Sequence, residues 1–264
     1  MIRPSRILQR WAQGKPALCA SVSITDPSVC EMISLLGFDG IWLDLEHHFT
    51  SLQSAAQMMR AARVGGSDIL ARPAKGEFMR MGRMLEAGAQ GIMYPRCDNA
   101  SEAAEVVRWA KFAPLGQRGF DGTNPDMPYF LENPADYVRR ANEQTFIVIQ
   151  VESPSALEHV RAIAEVQGVD MVFFGPGDFS VLSGAPGNTS SKEVLKAREK
   201  VAKDALAAGK RFGTIFATAE QAKQLLDMGA TLLAHCTDLY ILRQALLDFR
   251  KTVEPLGFEF EGLF

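Results

Sequence analysis

The sequence has few cysteines and no apolar segment long enough to cross a membrane. The four cysteines among its 264 residues are scattered and form no C-x-x-C pair, so they provide no disulfide framework. No apolar run reaches the roughly 18 residues that a membrane helix needs, and residues 1–13 are too polar for a signal peptide. These absences predict a reduced, cytoplasmic protein without a membrane partner.

An excess of positive charge is also missing. The chain carries 28 lysines and arginines against 31 aspartates and glutamates, so no electrostatic argument favours nucleic acid as a partner. With 47% hydrophobic residues, a chain of this length can bury a large core without a structural metal. No linker or change of composition divides it, and we expect a single domain over residues 1–264.

Short apolar segments alternate with longer amphipathic ones along the whole chain. Several short segments, such as FIVIQV and MVFFG, are apolar at nearly every position, which is typical of parallel strands covered on both faces. Capping side chains before proline begin several of the intervening helices, and glycine ends several. The pattern predicts eight strands, at Ala17–Ile24, Gly40–Leu45, Ile69–Pro73, Gly91–Pro95, Phe146–Val151, Met171–Gly175, Arg211–Phe216 and Thr231–Cys236.

Two parallel architectures can accommodate this pattern. A doubly wound sheet usually has a glycine-rich phosphate turn after its first strand, but the segment SVSITDPS contains no glycine. Eight regular repeats favour a closed (β/α)8 barrel, the TIM barrel. The stretch Phe112–Asn133 interrupts the repeats, and we expect it to form a loop that borders the active site.

Polar and ionisable residues follow several of the predicted strands. Active sites of barrels lie at the carboxyl ends of the strands, so these residues are the candidates for chemistry. His235 is instead expected to be a core histidine, because its strand is apolar. The candidates are Asp44, Glu46, His47 and His48 after strand two, Arg72 after strand three, Gln150 and Glu152 after strand five, and Gly175, Pro176, Gly177 and Asp178 after strand six.

Glu152 and Asp178 lie one β/α unit apart, on neighbouring strands. Because adjacent strands are about 4.8 Å apart, both carboxylates can reach one ion. Two buried carboxylates would otherwise repel each other, and a hard divalent ion such as Mg²⁺ or Mn²⁺ removes that repulsion. The same positions also suit two acids that cap helices, so the spacing supports a metal site and a pair of capping acids equally.

Arg72 and His47 add a cation and a titratable ring. Arg72 can hold a carboxylate or a developing oxyanion, or it can form a salt bridge with Glu46 at the barrel mouth. His47 can ligate a metal or act as a general base, with Asp44 orienting its ring if the strand ends between them. We expect His48 to be a packed or exposed neighbour.

Five segments, in order along the chain, resemble a known family. GIWLDLEH, ILARP, FAPLGQRG, VIQVESPSAL and VFFGPGDFS are similar to the pyruvate-dependent class II aldolases of the 4-hydroxy-2-oxoheptanedioate aldolase family, related to 2-dehydro-3-deoxyglucarate aldolase and the citrate lyase β subunit. The resemblance covers roughly Lys15 to Phe249. It implies a lyase that uses Mg²⁺, Mn²⁺ or Co²⁺ to cleave a 4-hydroxy-2-oxo acid reversibly into pyruvate and an aldehyde.

The resemblance also implies a role for each candidate residue. Glu152 and Asp178 look like the two metal ligands, and Arg72 like the arginine that binds the keto oxygen of pyruvate and stabilises its enolate. His47, backed by Asp44, looks like the acid/base histidine. The remaining matches are Gln150 to the polar residue beside the metal, and Gly175, Pro176, Gly177 and Asp178 to the turn whose N–H groups hold the pyruvate carboxylate.

Some positions depart from the family pattern. Ser21 stands where many relatives carry tryptophan, and Leu45 where they often carry glycine. The segment AHCTD in strand eight replaces a usual glycine. These departures bear on the substrate, and on which histidine acts, more than on the metal.

Three other functions stay open. A class I aldolase needs a desolvated lysine on a strand, and none of the predicted strands contains a lysine. A lyase acting on a CoA thioester needs a basic patch, and none appears near the strand ends. A non-catalytic protein that binds 2-oxo acids would share the same residues.

The C-terminal segment PLGFEFEGLF is apolar and carries Phe258, Phe260 and Phe264. Such a segment is expected to pack against another surface, and the bottom of the barrel is one possibility. Members of the resembled family typically form hexamers with exchanged C-terminal elements. The resemblance therefore implies a homo-oligomer, with a hexamer favoured.

Overall fold

The computed structural model describes residues 3–262, except for the side chain of Cys236. Its strands are β1 (Ala17–Val22), β2 (Gly40–Asp44), β3 (Asp68–Arg72), β4 (Gly91–Tyr94), β5 (Phe146–Val151), β6 (Met171–Phe174), β7 (Arg211–Phe216) and β8 (Ala230–Thr237). They are parallel, each is hydrogen-bonded to its neighbours in chain order, and β8 closes against β1. The predicted eight strands and the closed (β/α)8 barrel are confirmed.

The α-helices of the described chain are α1 (Arg6–Ala12), α2 (Pro27–Leu35), α3 (Leu52–Ala62), α4 (Phe78–Ala87), α5 (Ala100–Ala110), α6 (Pro134–Gln144), α7 (Pro154–Leu157), α8 (Val160–Glu165), α9 (Pro176–Leu182), α10 (Lys192–Ala207), α11 (Ala219–Asp227) and α12 (Asp238–Val253). A short 3-10 helix (Glu254–Leu256) follows them. Within residues 3–262, no helix is long and apolar enough to cross a bilayer.

β1 ends two residues earlier than predicted. The N–H groups of Ser23 and Ile24 donate to the carboxylate of Asp238 at 2.9 Å each, so they leave the sheet. The same aspartate begins α12. The end of β1 and the start of α12 are thereby joined at the carboxyl end of the barrel.

The core of the barrel has two layers. Alternate strand residues point inward, and side chains such as Trp42, Leu70 and Phe173 pack together inside the barrel. The residues between them, such as Ile41 and Leu43, point outward into a larger cluster beneath the helices. Both faces of the strands are therefore buried, as the uniformly apolar segments predicted.

α1 covers the amino end of the barrel. Trp11 packs edge-to-face against Phe146, with 5.4 Å between the ring centroids. The buried carboxylate of Asp68 accepts hydrogen bonds from Oγ of Ser5 at 2.6 Å and from the N–H of Ile7 at 2.8 Å. This end is thus closed by the N-terminal helix, and not by the C-terminal segment.

The loop after α5 lies at this same amino end, and the prediction that it borders the active site of its own chain is wrong. Because α5 runs antiparallel to β4, it ends far from the carboxyl ends of the strands. The buried Arg118 pairs with Asp126 at 3.2 Å and donates to the hydroxyl of Tyr137, which holds the loop there. The carbonyl of Pro125 also accepts from Arg63, the residue that ends α3.

Candidate active site

Arg72, the last residue of β3, is held in place by an aspartate on β2. Its Nε and one terminal nitrogen donate to the two carboxylate oxygens of Asp44, at 2.9 and 2.6 Å. The guanidinium group lies over the ring of Trp42, 4.7 Å from its centroid. The other terminal nitrogen is 3.4 Å from Oε1 of Gln150. A bidentate pair of this kind fixes the plane of the guanidinium as well as its charge.

This pair keeps both groups ionised. Burial would raise the pKa of Asp44, but the hydrogen bonds and charge of Arg72 outweigh it, so that the pKa lies below its ordinary value. Burial likewise lowers the pKa of Arg72, but Asp44, Glu152 and Glu46 outweigh that effect and raise it. The site therefore contains a permanent cation.

Glu152 follows β5 and is only 2% exposed. Its Oε2 accepts from the N–H of Arg96 at 2.9 Å, and its Oε1 accepts from the side-chain amide of Gln150 at 3.2 Å. Oε1 also lies against Gly175, where a Cβ atom would overlap it. Gly175 therefore leaves the space that this carboxylate occupies.

A second acid lies close to Glu152. Asp178 is the third residue of α9 and is half-buried. The pKa of Glu152 is raised to about 7, mainly by burial; Arg72 and the Arg96 N–H act to lower it, and the charges of Asp178 and Glu46 act to raise it. The two acids that the strand spacing singled out are therefore near enough to interact.

Glu46 is a third acid in this cluster. Its Oε2 is buried and has no hydrogen bond within the described chain, but it lies 3.4 Å from a terminal nitrogen of Arg72. Its Oε1 accepts from Nε of Arg96 at 3.0 Å. The salt bridge between Arg72 and Glu46 is thus formed in addition to the pair with Asp44. Arg96, whose φ is 45°, was not predicted as a site residue. Its hydrogen bond to Glu152 comes from the backbone N–H, so the residue type does not reveal it.

The chemistry of these acids fits a divalent cation. Residues 3–262 contain no group of three or more His, Cys, Asp or Glu arranged to hold a metal ion. Glu152 and Asp178 nevertheless offer hard oxygen donors of the kind that Mg²⁺ and Mn²⁺ prefer. A cation would relieve the repulsion that helps to raise the pKa of Glu152.

The two histidines after β2 have different partners from those expected. Nε2 of His48 lies 3.5 Å from Oδ2 of Asp44 and 3.0 Å from Oγ of Ser23. Nε2 of His47 lies 3.5 Å from Oε2 of Glu46, and its side chain is 51% exposed. The expected pair of Asp44 with His47 is not among the contacts of the described chain. The backbone turns after Asp44 and brings the fourth residue onward, His48, back towards it.

A cavity of about 440 Å³ opens at the carboxyl ends of the strands. Asp44, His47, His48, Arg72 and Pro176 line it, whereas Glu152 and Asp178 lie outside its lining. Ser21, Arg198, Phe216 and His235 also line it. The described residues that line the cavity include no lysine, which a Schiff-base aldolase would require.

The apolar strand around His235 predicted a core histidine. In the structure this side chain is not fully in the core. Its ring stacks on Phe216, with 4.7 Å between centroids, and its Nδ1 donates to the carbonyl of Phe216 at 3.1 Å. It is only half-buried and lines the cavity. Arg198 was not predicted, because it lies within a helix and not at the end of a strand.

A (β/α)8 barrel with acids and a fixed arginine at the carboxyl ends of its strands belongs, by fold and site, to the class of barrel enzymes. The family model for HpcH/HpaI aldolase/citrate lyase matches residues 21–245, and the chain belongs to this family. The resemblance found in the sequence is thereby confirmed.

Individual relatives agree with this assignment. The chain is 33% identical to a hydroxypyruvate/pyruvate aldolase of Delftia acidovorans, over 84% of this chain and 82% of that protein. It is 30% identical to a 4-hydroxy-2-oxo-heptane-1,7-dioate aldolase of Shigella sonnei, over 88% of each chain. The crystal structure of an HpcH/HpaI aldolase from Desulfitobacterium hafniense superposes with a TM-score of 0.89 at 28% identity, covering 97% of this chain and 98% of that one.

Proposed function

We propose that the protein is a class II aldolase, a carbon–carbon lyase that cleaves a 4-hydroxy-2-oxo acid reversibly into pyruvate and an aldehyde. The observation that carries this proposal is the buried carboxylate of Glu152, with its raised pKa, close to Asp178 and to a permanently charged Arg72. Membership of the aldolase/citrate lyase family and the aldolase relatives support the same chemistry.

Glu152 and Asp178 are the residues that would hold the divalent ion, Mg²⁺, Mn²⁺ or Co²⁺. When bound, such an ion supplies Lewis-acid polarisation of the oxygens of a 2-oxo acid. Gln150 donates to the carboxylate of Glu152 and so fixes the orientation of this ligand. Oε1 of Gln150 also lies 3.4 Å from a terminal nitrogen of Arg72, so Gln150 contacts both the proposed metal ligand and the cation of the site.

The turn from Gly175 to Asp178 is the proposed site of the pyruvate carboxylate. The first N–H groups of a helix have no partner within the helix, so those at the start of α9 are available to an anion. Open space surrounds Gly177, since a Cβ built there meets no atom within 4 Å. Pro176 lines the cavity beside it.

Arg72 is the proposed stabiliser of the enolate. When the C3–C4 bond breaks, its electron pair moves towards the C2 oxygen of the pyruvate half, which gains negative charge. A preorganised guanidinium stabilises such charge without having to reorient. Asp44 contributes by holding the guanidinium plane through its two hydrogen bonds.

His47 is the proposed acid/base, which takes the proton from the C4 hydroxyl during cleavage. It lines the cavity, and its ion-pair partner is Glu46. His48 is the competing candidate, because it lines the same cavity and pairs with Asp44. Separate His47→Asn and His48→Asn variants distinguish the two, since only the acid/base histidine should be needed for proton transfer.

The experiment that tests this function is pyruvate release from a panel of 4-hydroxy-2-oxo acids, with EDTA or with added Mn²⁺, Mg²⁺ or Co²⁺. We expect release that EDTA abolishes and that metal restores. Binding of pyruvate without cleavage of any substrate in the presence of metal would instead favour a non-catalytic binding protein.

We also propose that the chain acts in the cytoplasm as a single-domain subunit of a homo-oligomer, with a hexamer favoured. No residue of α12 is buried, and six of its large apolar side chains are exposed. Phe258 and Phe260 beyond it are exposed too, while Phe264 lies outside the described residues. An apolar surface of this extent is usually covered by a partner. A monomer by light scattering at micromolar concentration would contradict the oligomer.

A further inference from the structure

Arg96 is a half-exposed arginine that contacts two acids of the site at once. It follows β4, and its side chain is 46% exposed. Its Nε donates to Oε1 of Glu46 at 3.0 Å, while its backbone N–H donates to Oε2 of Glu152 at 2.9 Å. One residue therefore fixes the positions of two carboxylates, one through its charge and the other through its main chain.

The backbone of Arg96 is strained where it makes these contacts. Its φ of 45° lies in the left-handed region, which is unfavourable for a residue with a Cβ atom. Neighbouring bonds hold the turn, since the carbonyl of Arg96 accepts from Nζ of Lys75 at 2.7 Å and the N–H of Cys97 donates to the carbonyl of Gln150 at 3.1 Å. Such conformations persist where the surroundings fix them, often at functional sites. A glycine would adopt this turn without strain, so the contact that the arginine adds is the one to Glu46.

Glu46 is a buried acid for which this contact is the closest to a cation. Its side chain is 3% exposed, and its Oε2 has no hydrogen bond within residues 3–262. Oε2 lies 3.4 Å from a terminal nitrogen of Arg72 and 3.5 Å from Nε2 of His47. Both distances are longer than the 3.0 Å from Arg96 to Oε1, so Arg96 is the main counter-charge of this carboxylate.

The charge of Glu46 reaches the proposed metal ligand. Glu46 is among the acids whose charges act to raise the pKa of Glu152, so the two carboxylates are close enough to interact. A carboxylate released at this place would offer a third hard oxygen donor beside Glu152 and Asp178. It would also compete for the terminal nitrogen of Arg72 that lies 3.4 Å away.

The two arginines divide the acids of the site between them. Asp44 holds Arg72 through two hydrogen bonds, and Arg96 holds Glu46 through one. Within the described part of the chain, these two acids have arginine partners, whereas Glu152 forms no ion pair. The chain's own cations therefore leave Glu152 for an ion from outside and keep Glu46 occupied.

We propose that Arg96 is a positioning residue that keeps Glu46 out of the metal site. By pairing with Glu46 it limits the protein ligands of the ion to Glu152 and Asp178, so that the other coordination positions stay open to water and to the oxygens of the 2-oxo acid. It also prevents Glu46 from drawing Arg72 away from the enolate. This inference rests on the proposed aldolase function and adds to it the residue that sets how tightly the metal is held.

The test is the affinity of Arg96→Met for Mn²⁺, measured by calorimetry. Loss of the guanidinium leaves Glu46 uncompensated beside the ligands, so Mn²⁺ should bind about 10-fold more tightly than to the wild type, as expected for a change of one neighbouring charge. Arg96→Lys keeps a cation and should bind Mn²⁺ nearly as the wild type does. If Arg96→Met does not fold, Arg96→Gly takes its place, because it removes the same charge and relieves the strain at φ. Equal or weaker binding of Mn²⁺ by the folded variant would overturn the proposal.

A double substitution shows whether the effect passes through Glu46. Arg96→Met combined with Glu46→Gln removes both charges, and its affinity for Mn²⁺ should return close to that of the wild type. If the double variant still binds Mn²⁺ as tightly as Arg96→Met, Glu46 is not the group that Arg96 restrains and the proposal is wrong.

Arg108 provides a matched control. Its side chain is also 46% exposed, and its partner Glu105 lies at 3.1 Å, but the pair belongs to α5 and not to the site. Arg108→Met should therefore bind Mn²⁺ as the wild type does. A rise in affinity equal to that of Arg96→Met would show that any lost surface cation has this effect, which would contradict a specific role for Arg96.

The failure of this inference is distinct from that of the aldolase function. Exchange of the pyruvate methyl protons for deuterium by the wild-type protein with Mn²⁺ reports enolisation without any aldehyde. If the wild type exchanges deuterium but Arg96→Met does not bind Mn²⁺ more tightly, only the role of Arg96 is wrong. If the wild type neither binds Mn²⁺ nor exchanges deuterium, the aldolase function fails and the inference fails with it.

Discussion

Two acids are buried at opposite ends of the barrel, and they differ in the hydrogen-bond donors and charges around them. Asp68, at the amino end, accepts hydrogen bonds from Ser5, from the N–H of Ile7 and from Arg3, which is also its ion-pair partner at 3.2 Å. Glu152, at the carboxyl end, accepts from one backbone N–H and one amide. Burial raises the pKa of both carboxyl groups, but only that of Glu152 is raised further by other acids.

The fold itself supplies the hydrogen-bond donors and the cation for Asp68, whereas it leaves Glu152 able to bind a ligand. At the amino end the chain supplies the donors and the cation for Asp68, so that acid stabilises the junction of α1 with the barrel. At the carboxyl end Arg72 is bound mainly by Asp44, and Glu152 has no ion pair within residues 3–262. This matches the usual division of barrels into a stable bottom and a reactive top.

The largest effect should follow from a substitution at the reactive, carboxyl end of the barrel. Arg72→Ala should lower kcat for aldol cleavage by about 10²–10³-fold, because a preorganised donor to the enolate oxygen is lost. Arg211 provides a matched control, since it lies over Trp11 at 4.6 Å much as Arg72 lies over Trp42 at 4.7 Å, but at the amino end. Arg211→Ala should leave kcat near that of the wild type, and turnover of Arg72→Ala within a few-fold of wild type would show that the enolate role is wrong.

A substitution at the stable end should affect folding instead. Asp68→Ala leaves Arg3 without its ion pair and two donors without an acceptor, and we expect it to lower the free energy of unfolding by about 2–4 kcal/mol. The measurement is urea unfolding, with kcat determined on the folded protein. An unchanged unfolding midpoint would mean that Asp68 does not hold α1 to the barrel.

The sequence predicted the architecture well because the residues that the barrel buries are apolar and recur in a regular pattern along the chain. Strands such as Phe146–Val151 are apolar at almost every position, and this alone distinguishes parallel strands covered on both faces. Glu152 and Asp178 could be singled out as neighbours, because adjacent parallel strands end at the same edge.

The pairings within the site could not be predicted from the sequence. The turn after Asp44 decides that His48, and not His47, returns to that carboxylate, and spacing in a straight strand carries no information about this. The loop after α5 has the composition of an active-site loop, but the direction of α5 places it at the other end of the barrel. Arg198 lies on a helix whose inward face is otherwise apolar, where no strand-end pattern could reveal it.

The glycine beside Glu152 gives a smaller, more specific effect. A Cβ in Gly175→Ala would occupy the place of Oε1 of Glu152 and displace the carboxylate. We expect affinity for Mn²⁺, measured by calorimetry, to fall about 10- to 100-fold, as when the support of a metal ligand is lost. Gly82→Ala is the control, because it lies in α4 with open space around its Cβ position and should leave Mn²⁺ affinity unchanged. Equal affinities of Gly175→Ala and the wild type would argue against Glu152 as a ligand.

The smallest effect is a dependence of stability on pH that comes from the raised pKa of Glu152 at the reactive end. The pKa of Glu152, about 7, lies above its ordinary value of 4.5, so the folded protein binds this proton more tightly than the unfolded chain does. Without metal, the stability due to this group is therefore full below pH 4.5 and declines as the pH rises to about 7.

Glu152→Gln removes the buried charge, so in EDTA it should raise the melting temperature by more at pH 8 than at pH 5. Saturating Mn²⁺ should reverse the order at pH 8, since an ion that binds only the folded wild type stabilises it by mass action. A pH-independent difference between Glu152→Gln and wild type would mean that the charge of Glu152 is already compensated by the chain and needs no cation from outside.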